Sequence, residues 1–512
     1  MTEPQHSDPL QCLEAGWRES PDAPFLTTVV GGVVRYDELE LITRRVAAAL
    51  RAQGVRKGER VCVMVEKSVE AVFLYIACLR MGAAFMPLNT AYTATELDYF
   101  LGYAEPRLLI IDPALAGEEV RAAATHRTVH LLTLDAQGEG DFTAAVDSAR
   151  PDPIDERLEA QDLAALVYTS GTTGRSKGAM LTRANLAAGA RGLAQAWEVG
   201  PRDVLLHVLP LFHVHGLFMA LNTVLAARAG ILFLPRFEAR EACALLPRVT
   251  LFMGVPTHYT RLLALTEFGR ETAAHMRLFV SGSAPLLAET HREFEARCGQ
   301  RILERYGMTE TVVLASNPLR GERKPGSVGP PLAGVDIRIA PLAGEGGVAA
   351  DGETHAGMIQ VRGPNVFAGY WRAPDKTRES FTQDGFFITG DVGRFDEDGY
   401  LYIVGRARDL IISGGYNVYP VEVEEALDAL PGVAESAVIG LPHRDFGEGV
   451  TAVVVCKPGA GLAETELIAQ LKRRLANYKI PKRILFVAEL PRNTMGKVQK
   501  AALRAAYAEV YR

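Results

Sequence analysis

The sequence predicts an α/β protein of two domains, with a large layered N-terminal α/β domain over residues 1–407 and a small C-terminal α+β domain over residues 408–512. Its 512 residues exceed what a single hydrophobic core usually serves. Short apolar strands alternate with amphipathic helices along the N-terminal part, which is typical of layered α/β domains. The pattern changes between Phe386 and Arg406, and we therefore place the domain boundary near Arg408.

An amphipathic helix followed by a buried strand is predicted early in the N-terminal domain. Apolar residues recur at three- and four-residue spacing at Leu39, Ile42, Val46 and Leu50. Asp37 and Glu38 favour the amino end of this helix, and Gly54 follows its carboxyl end. The apolar run from Val61 to Glu66 then predicts a strand.

A phosphate-binding loop is predicted at YTSGTTGRSKG, which runs from Tyr168 to Gly178. The apolar run from Leu163 to Tyr168 predicts a strand before the loop, and a helical pattern starts near Thr182 and Asn185. The predicted order is therefore strand, phosphate loop, helix. The alternative is that this cluster of glycine, serine and threonine is a flexible connector.

The residues of this loop suit a polyphosphate ligand. Gly171 and Gly174 can take positive φ and carry no Cβ, so successive backbone N–H groups can converge on phosphate oxygens. Lys177 would neutralise phosphate charge, and additional hydroxyl donors are Thr172, Thr173 and Ser176. The spacing differs from the GxxxxGK[ST] P-loop, so the nucleotide-binding folds that use that loop are not indicated.

A β-hairpin is predicted before the C-terminal domain, because Asp398-Gly399 separates two runs of alternating apolar residues. The C-terminal domain itself is predicted to contain helix Val421 to Leu430, strand Ala434 to Leu441, strand Val450 to Cys456, helix Glu464 to Leu475 and strand Arg483 to Phe486.

Composition indicates an ordinary globular chain and argues against several partners. With 48% hydrophobic residues, a net charge of −6 and dispersed lysines and arginines, the chain is not expected to bind nucleic acid. The six cysteines form no CxxC pair and no metal-ligand spacing, which predicts reduced core thiols. No run of about 18 apolar residues occurs, so no membrane association is expected. The first ten residues lack a signal-peptide pattern, which predicts a cytoplasmic protein.

Five motifs together resemble the adenylate-forming superfamily over nearly the whole chain. In chain order they are YTSGTTGRSKG, RYGMTE (Arg305 to Glu310), FITGD (Phe387 to Asp391), GRARD with Arg406, and NTMGK (Asn493 to Lys497). The resemblance implies the adenylate-forming fold with a mobile C-terminal domain. It also implies two reactions: a carboxylate attacks ATP to give an acyl adenylate and diphosphate, and a thiolate, usually that of coenzyme A, then displaces AMP. ATP, Mg²⁺ and coenzyme A are the implied cofactors.

The resemblance also assigns roles to single residues. Taken alone, Glu310 would be a surface acid, Asp391 a turn residue and Arg406 a solvated cation. Tyr306 would lie against adenine, while Asp391 and Arg406 would bind the ribose. Thr309 would contact the α-phosphate, and Glu310 would help to hold Mg²⁺, a cation that prefers carboxylate and phosphate oxygens. The implied ATP-binding residues of the loop are Thr169, Ser170, Gly171, Thr172, Thr173, Gly174 and Lys177.

In this superfamily the lysine of the closing motif, here Lys497, enters the active site during adenylation and joins Thr309 and Glu310 as a catalytic residue. The small domain then rotates about a hinge, here Arg408. The rotated domain would place SGGYN, with Gly414 and Gly415, along the pantetheine tunnel of coenzyme A. We further hypothesise control by a lysine acetyltransferase and deacetylase, because acetylation of Lys497 would remove the charge that adenylation needs.

Arg261 is the predicted cation of the acyl pocket. The segments LPLFHVHG, MGVPTHYTR and SGSAPL resemble the superfamily's acyl-site walls. A pocket for a fatty or aromatic acid should be apolar, because burying an unpaired cation costs several kcal/mol. Arg261 follows the predicted strand Leu251 to Gly254 and could grip a second carboxylate bidentately. The alternatives are that Arg261 faces solvent, or that Arg277 or Arg292 takes this role.

The longer sequences around these segments, together with LNTAYTATELDYF and LPRNTMGKVQK, resemble malonyl-CoA synthetases. That resemblance implies malonate as the substrate and methylmalonate as a second one. The implied substrate-binding residues are His213, Val214, Arg261, Ser283 and Met308. Some relatives carry threonine at the position of Val214, which leaves the tolerance for α-substituents open. His213 and His215 are packing histidines under the alternative interpretation.

Three other functions stay open at this point. The chain could be an acyl-CoA synthetase for short- or medium-chain monocarboxylates, or a stand-alone adenylation enzyme that serves a carrier protein. The pocket segments show no obvious acid for the α-ammonium group of an amino acid, which argues against the second. A nucleotide-binding regulator without catalysis would be expected to have lost Lys497, Glu310 or the phosphate loop, and all three are present.

Overall fold

Three sheets in the N-terminal part and one in the C-terminal part organise the computed structural model, which describes residues 19–151, 153–154, 156–169, 176–342, 356–414, 416–493 and 496–511. The predicted α/β class, with a large N-terminal part and a small C-terminal part, is confirmed. None of the helices within these ranges is both long enough and apolar enough to cross a bilayer.

A seven-stranded sheet carries the phosphate-loop strands. Its strands lie in the order Gly369–Tyr370, Lys177–Thr182, Leu163–Thr169, Ala84–Pro87, Arg60–Met64, Leu108–Ile111 and His130–Thr133. The five strands from Leu163–Thr169 onward run parallel, and the first two pair antiparallel. Because the carboxyl ends of parallel strands share one edge, the loops that follow them meet on one side of the sheet.

An eight-stranded sheet packs beside the first and supplies the second wall of the cleft. Its strands lie in the order Ala315–Ser316, Ile302–Tyr306, Leu278–Ser281, Leu251–Gly254, Val204–His207, Gly230–Phe233, Pro24–Thr28 and Val33–Arg35. The six central strands run parallel, and both edge strands are antiparallel. Their buried side chains form one hydrophobic core that also includes residues of the first sheet.

Helices cover both sheets. The α-helices of the N-terminal part are Tyr36–Ala52, Val69–Met81, Ala94–Ala104, Glu118–His126, Asp141–Ser148, Arg183–Ala196, Asn222–Ala227, Ala239–Leu245, Pro256–Leu263, Ala288–Cys298 and Pro374–Glu379. A π-helix, His215–Leu221, and a 3₁₀-helix, Leu246–Arg248, complete them. The predicted helix at Leu39 is confirmed, because Leu39, Val46 and Leu50 are buried on one face of Tyr36–Ala52.

The order strand, loop, helix predicted around the phosphate loop is wrong in one respect. The chain leaves the loop as a second strand, Lys177–Thr182, and the helix begins only at Arg183. The second strand forms because its backbone pairs antiparallel with Leu163–Thr169, and four of its six residues are buried. Thr182 then caps the helix by accepting a hydrogen bond from the N–H of Asn185 at 3.2 Å.

A five-stranded antiparallel sheet leads toward the C-terminal part. Its strands lie in the order Ser327–Gly329, Leu401–Arg406, Phe387–Phe395, Gly357–Arg362 and Asp336–Ala340. The predicted hairpin is confirmed, with Gly399 in its turn at a φ of +78°. A 3₁₀ turn, Ala407–Asp409, then connects to the next sheet, and the predicted hinge Arg408 lies in it. The boundary between residues 407 and 408 and rotation about Arg408 stay predictions.

The C-terminal part has its own sheet and core. Four of its strands are adjacent in the order Tyr416–Val418, Ile411–Ser413, Gly447–Cys456 and Val433–His443. The fifth strand, Arg483–Val487, pairs parallel with Gly447–Cys456. Its helices are Pro420–Asp428, Glu464–Leu471 and Lys500–Ala506, with a 3₁₀ turn at Asn477–Lys479. The second helix ends four residues earlier than predicted, because the N–H of Arg474 donates to the carbonyl of Leu471 in a tighter 3₁₀-type turn.

Candidate active site

The predicted phosphate loop joins two paired strands at the edge of the seven-stranded sheet. Thr169, the last residue of one strand, lies opposite Lys177, the first residue of the next. The Lys177 Nζ lies 5.2 Å from the ring centroid of Tyr370. Ser170, Gly171, Thr172, Thr173 and Gly174 fall outside the described residues, so their predicted contacts with phosphate stay predictions.

A polar trio lies where the second and third sheets meet. The Tyr306 hydroxyl donates a hydrogen bond to Asp391 Oδ2, and Arg406 Nε lies 2.9 Å from Asp391 Oδ1. Asp391 and Arg406 face each other across the hairpin, which fixes their separation. Burial raises the pKa of Tyr306 well above its usual value, with the Asp391 carboxylate adding to the shift. The three predicted adenosine-binding residues are thus held together by direct contacts.

Glu310 is a buried carboxylate without a cationic partner among the described residues. It follows the half-buried Thr309, and its side chain is 5% exposed. Its Oε1 accepts a hydrogen bond from the Tyr370 hydroxyl at 3.0 Å. Burial raises the pKa of Glu310, although the Tyr370 hydrogen bond and the Arg406 charge favour the ionised form. The loop is strained, since Val312 adopts a φ of +57°, which is rare for a β-branched residue.

These features fit a hard divalent cation at Glu310. A buried carboxylate without an ion-pair partner needs compensating charge, and Mg²⁺ takes one or two carboxylates and completes its coordination with phosphate oxygens and water. The described residues contain no group of three or more His, Cys, Asp or Glu that could hold a metal alone. A metal at this site would therefore depend on the nucleotide for further ligands.

Lys497 extends from the C-terminal part into the same cleft. Its backbone is fixed by Asn493, whose Oδ1 accepts from the Lys497 N–H at 3.0 Å, and by a 2.9 Å bond from the Asn493 N–H to the Lys497 carbonyl. Burial of the amine in the cleft lowers the pKa of Lys497, and the charges of Arg406 and Arg305 act in the same direction. The residue as a whole nonetheless keeps solvent-exposed surface.

A cluster of polar side chains lies at the predicted acyl site. Ser283 Oγ lies 3.1 Å from His215 Nδ1, and His213 Nδ1 accepts from the His215 N–H at 3.3 Å. Ser283 itself adopts a φ of +72°, which marks a strained turn. Burial lowers the pKa of His213 to about 3, and the charges of Lys497 and Arg305 act in the same direction. The histidines of this cluster are therefore neutral near pH 7.

Arg305 is a buried guanidinium next to this cluster. Its side chain is 5% exposed, and its Nε and Nη2 have no hydrogen-bond partner among the described residues. Burial lowers the pKa of Arg305 to about 9, an unusual displacement for a guanidinium. The fold makes room for it at Gly282, where a Cβ would lie 2.4 Å from Arg305 Cζ. An anion of suitable size would relieve this uncompensated charge.

The sequence motifs do not predict an acyl-site role for Arg305. RYGMTE predicts only nucleotide and metal contacts, through Tyr306, Thr309 and Glu310. The signal that could have identified Arg305 is the alternation of side chains along a strand. In Ile302–Tyr306, adjacent side chains point to opposite faces of the sheet. When Tyr306 faces the nucleotide side, Arg305 must face the acyl side.

The three arginines considered from sequence differ in their surroundings. Arg261 lies on Pro256–Leu263, is exposed and borders a cavity of about 470 Å³ together with Lys67 and His258. Arg277 forms a bidentate pair with Asp203 at 3.0 and 2.8 Å, and is therefore already neutralised. Arg292 is exposed on the helix Ala288–Cys298.

The remaining predicted residues lie at the cleft wall or in the C-terminal part. Val214 is 4% exposed and leads into the π-helix His215–Leu221, while Met308 is half-buried in the loop before Glu310. Gly414 lies in a hairpin turn with a φ of +60°, and its N–H donates to the Phe446 carbonyl at 2.9 Å. Gly415 lies outside the described residues, and a role of this turn in binding coenzyme A stays a prediction.

Comparison with protein families gives two matches that together span most of the chain. Residues 13–371 match the model described as AMP-binding enzyme, and residues 422–497 match the AMP-binding enzyme C-terminal domain.

Individual proteins are similar over comparable lengths. A malonate–CoA ligase of Arabidopsis thaliana is 37% identical over 484 residues, covering 88% of this chain and 78% of that protein. A sulfoacetate–CoA ligase of Cupriavidus necator is 36% identical over 520 residues, covering 98% of each. The crystal structure of ATP-bound MatB from Rhodopseudomonas palustris is 49% identical, with a TM-score of 0.95 over 99% of this chain and 100% of that one.

The buried histidines around the acyl site should make the protein acid-sensitive. His207 ends the strand Val204–His207 and is 2% exposed. Burial lowers its pKa to about 3, and the Lys67 charge adds to the shift. The ordinary value in an unfolded chain is about 6.5. Between the two values the unfolded chain binds more protons, so the stabilisation is complete above about pH 6.5 and is lost as the pH falls toward 3.

We expect His207 alone to account for about 2 kcal/mol of the unfolding free energy lost between pH 7 and pH 5. The unfolding free energy of His207→Gln should therefore fall by about 2 kcal/mol less than that of wild type between pH 7 and pH 5. Urea denaturation at both pH values measures this difference. The exposed His126→Gln is the control and should retain the wild-type difference. Equal pH dependence of all three proteins would contradict the burial of a neutral His207.

Proposed function

Because the chain belongs to the family of AMP-binding enzymes, we propose that it is an AMP-forming acid–thiol ligase that converts malonate, ATP and coenzyme A to malonyl-CoA, AMP and diphosphate. A malonyl adenylate is the intermediate. ATP and coenzyme A are co-substrates, and Mg²⁺ is the metal cofactor. The observation that carries the choice of acid is the buried, uncompensated Arg305 beside the acyl site.

The argument for a second anionic group rests on charge. A monocarboxylate uses its one carboxylate for the reaction with ATP and presents only carbon to the rest of the pocket. Arg305 would then remain buried opposite an apolar group, which is costly. The distal carboxylate of malonate can accept hydrogen bonds from the two free guanidinium nitrogens and from Ser283, and Arg261 can contribute from the rim. Short dicarboxylates therefore fit this site better than fatty or aromatic acids.

In the first reaction, an oxygen of the proximal carboxylate attacks the α-phosphorus of ATP, the bond to the bridging oxygen breaks, and diphosphate leaves. Lys497 and Thr309 compensate the charge that accumulates on the α-phosphate. The phosphate loop from Thr169 to Lys177 binds the leaving phosphates. Mg²⁺, when bound through Glu310, neutralises phosphate charge. Tyr306, Asp391 and Arg406 hold the adenosine.

In the second reaction, the thiolate of coenzyme A attacks the acyl carbon and AMP leaves with the bonding electrons. Rotation about Arg408 withdraws Lys497 and brings Gly414 and Gly415 to the pantetheine path. The neutral His213 borders the acyl group, and Val214 and Met308 limit the space beside its α-carbon, where the methyl group of methylmalonate would lie.

We propose the cytoplasm as the location of this enzyme. Five cysteines in the described part of the chain are free thiols, four of them buried, a pattern that a reducing compartment preserves.

A sulfonate is the one other distal group that the same argument favours. The recess at Arg305 requires an anion and does not by itself distinguish a carboxylate from a sulfonate. A relative of similar identity is named for sulfoacetate. Sulfoacetate therefore belongs in every substrate comparison beside malonate.

Replacing Arg305 should impair the turnover of malonate and spare that of acetate. Truncating one partner of a buried charge pair costs about 2–5 kcal/mol, so Arg305→Met should lower kcat/KM for malonate by about 30-fold or more and leave acetate turnover unchanged. The apparent melting temperature should not fall, because the lost cation is unpaired. Mass spectrometry of acyl-CoA products from malonate, methylmalonate, sulfoacetate, acetate and benzoate provides the measurement.

Two further variants serve as references in this assay. Arg261→Ala should reduce malonate turnover less than Arg305→Met, and the exposed Arg292→Ala should match wild type. A wild-type preference for acetate or benzoate would overturn the assignment of malonate. An equal loss of malonate and acetate turnover in Arg305→Met would overturn the role of this arginine.

Lys497 should be required for only one of the two reactions. We expect Lys497→Ala to abolish ATP–diphosphate exchange with malonate, because the α-phosphate loses its cationic partner, and to spare thioester formation from supplied malonyl adenylate. The exposed Lys472→Ala is the matched control and should match wild type in both assays. Equal losses in the two half-reactions would contradict this role.

We also propose that acetylation of Lys497 by a lysine acetyltransferase, reversed by a deacetylase, switches off adenylation. Enzyme carrying acetyl-lysine at position 497 should reproduce both half-reaction results of Lys497→Ala. Full exchange activity of that enzyme would refute the switch.

A further inference from the structure

The segment from Asn365 to Trp371 lies between two elements of the nucleotide site. On one side, the Phe367 N–H donates to the Glu310 carbonyl at 2.7 Å, and Asn365 Nδ2 donates to the Thr311 carbonyl at 2.9 Å. On the other side, the Trp371 N–H donates to the Gly178 carbonyl at 2.8 Å. This segment therefore ties the Glu310 loop to the strand that follows the phosphate loop.

Tyr370 makes the corresponding side-chain connection. Its hydroxyl donates to Glu310 Oε1 at 3.0 Å, and its ring centroid lies 5.2 Å from Lys177 Nζ. The side chain is 8% exposed, and its ring packs edge-on against Phe367 at 4.9 Å. Backbone pairing with Ala179 fixes Tyr370 at the sheet edge. One buried side chain thus contacts both the Glu310 carboxylate and the Lys177 ammonium.

The two contacts have different physical consequences. The hydroxyl occupies Oε1 of Glu310 and thereby restricts the rotation of the carboxylate. Groups that orient a metal-ligating carboxylate in this way commonly change metal affinity by about 10- to 100-fold when they are removed. The ring face attracts the Lys177 ammonium and limits the rotamers of this long side chain.

We propose that Tyr370 is a positioning residue for adenylation, whose hydroxyl orients Glu310 toward Mg²⁺ and whose ring places Lys177 at the phosphates of ATP. The roles of Glu310 and Lys177 in this proposal rest on the proposed function. Tyr370 touches neither the acid nor the reacting atoms, so it affects malonate only through the nucleotide site.

The test compares ATP affinity in the presence and absence of Mg²⁺, measured by calorimetry on the full chain without acid. Tyr370→Phe removes the hydroxyl and keeps the ring. We expect it to reduce the Mg²⁺-dependent gain in ATP affinity by about tenfold or more and to leave the Mg²⁺-free affinity unchanged. Its malonate KM and its thioester formation from supplied adenylate should equal those of wild type.

Tyr103→Phe is the matched control. The Tyr103 hydroxyl also donates a hydrogen bond to this segment, at the Trp371 carbonyl, but does not contact Glu310. It should retain the full Mg²⁺-dependent gain in ATP affinity.

A double-mutant cycle tests the ring. Tyr370→Leu should lower the Mg²⁺-free ATP affinity, and this loss should vanish when Lys177→Met is already present. Tyr370→Phe should show no such coupling to Lys177→Met, because the ring remains.

Two results would overturn the proposal: an unchanged Mg²⁺-dependent gain in Tyr370→Phe, or equal losses of ATP affinity with and without Mg²⁺. The second would indicate a structural role only. Because ATP binding is measured without acid, an incorrect assignment of malonate would not alter these outcomes. Absence of malonyl-CoA from the wild type would reveal that separate error.

Discussion

The uncompensated charge of Arg305 is the constraint around which the cleft is built. A guanidinium that is 5% exposed and has two unpartnered nitrogens would ordinarily be eliminated or paired. Here Arg305 belongs to the strand Ile302–Tyr306 of the eight-stranded sheet. Its guanidinium occupies the space that a Cβ at Gly282 would fill. The surrounding histidines stay neutral mainly because burial lowers their pKa, and the charge of Arg305 acts in the same direction. This unpaired charge is costly to the fold, and in the proposed function the distal anionic group of the substrate compensates it.

The nucleotide side of the cleft has the opposite arrangement. There the carboxylates are buried, and Asp391 is held by Tyr306 and Arg406, whereas Glu310 lacks a cationic partner among the described residues. Lys497 lies between the two sides and experiences charges from both. Because this lysine belongs to the C-terminal part, its position depends on how the two parts of the chain are arranged. The electrostatic balance of the cleft is therefore linked to the conformation of the whole protein.

Much of this arrangement could be predicted from sequence, because short motifs carry both the residues and their order. The polar trio, Glu310 and Lys497 follow from motifs that face one ligand. Arg305 could not be recognised in the same way, since its motif resembles a nucleotide motif, whereas the side chain of Arg305 lies beside the proposed acyl site. Arg277 shows the reverse difficulty: it pairs with Asp203, 74 residues away, and only the fold brings them together. The strand Lys177–Thr182 was missed because its pairing to Leu163–Thr169 outweighs the local pattern.

The central claim is that the acyl site is completed electrostatically by a second anionic group. The most direct test is a calorimetric comparison of two non-hydrolysable sulfamate analogues, one of malonyl adenylate and one of acetyl adenylate, binding to the wild-type protein. They share the adenosine contacts and differ only in the distal carboxylate. We predict that the malonyl analogue binds about 30-fold tighter or more, the equivalent of a buried, hydrogen-bonded charge pair of about 2 kcal/mol or above. Equal affinities for the two analogues would contradict the account.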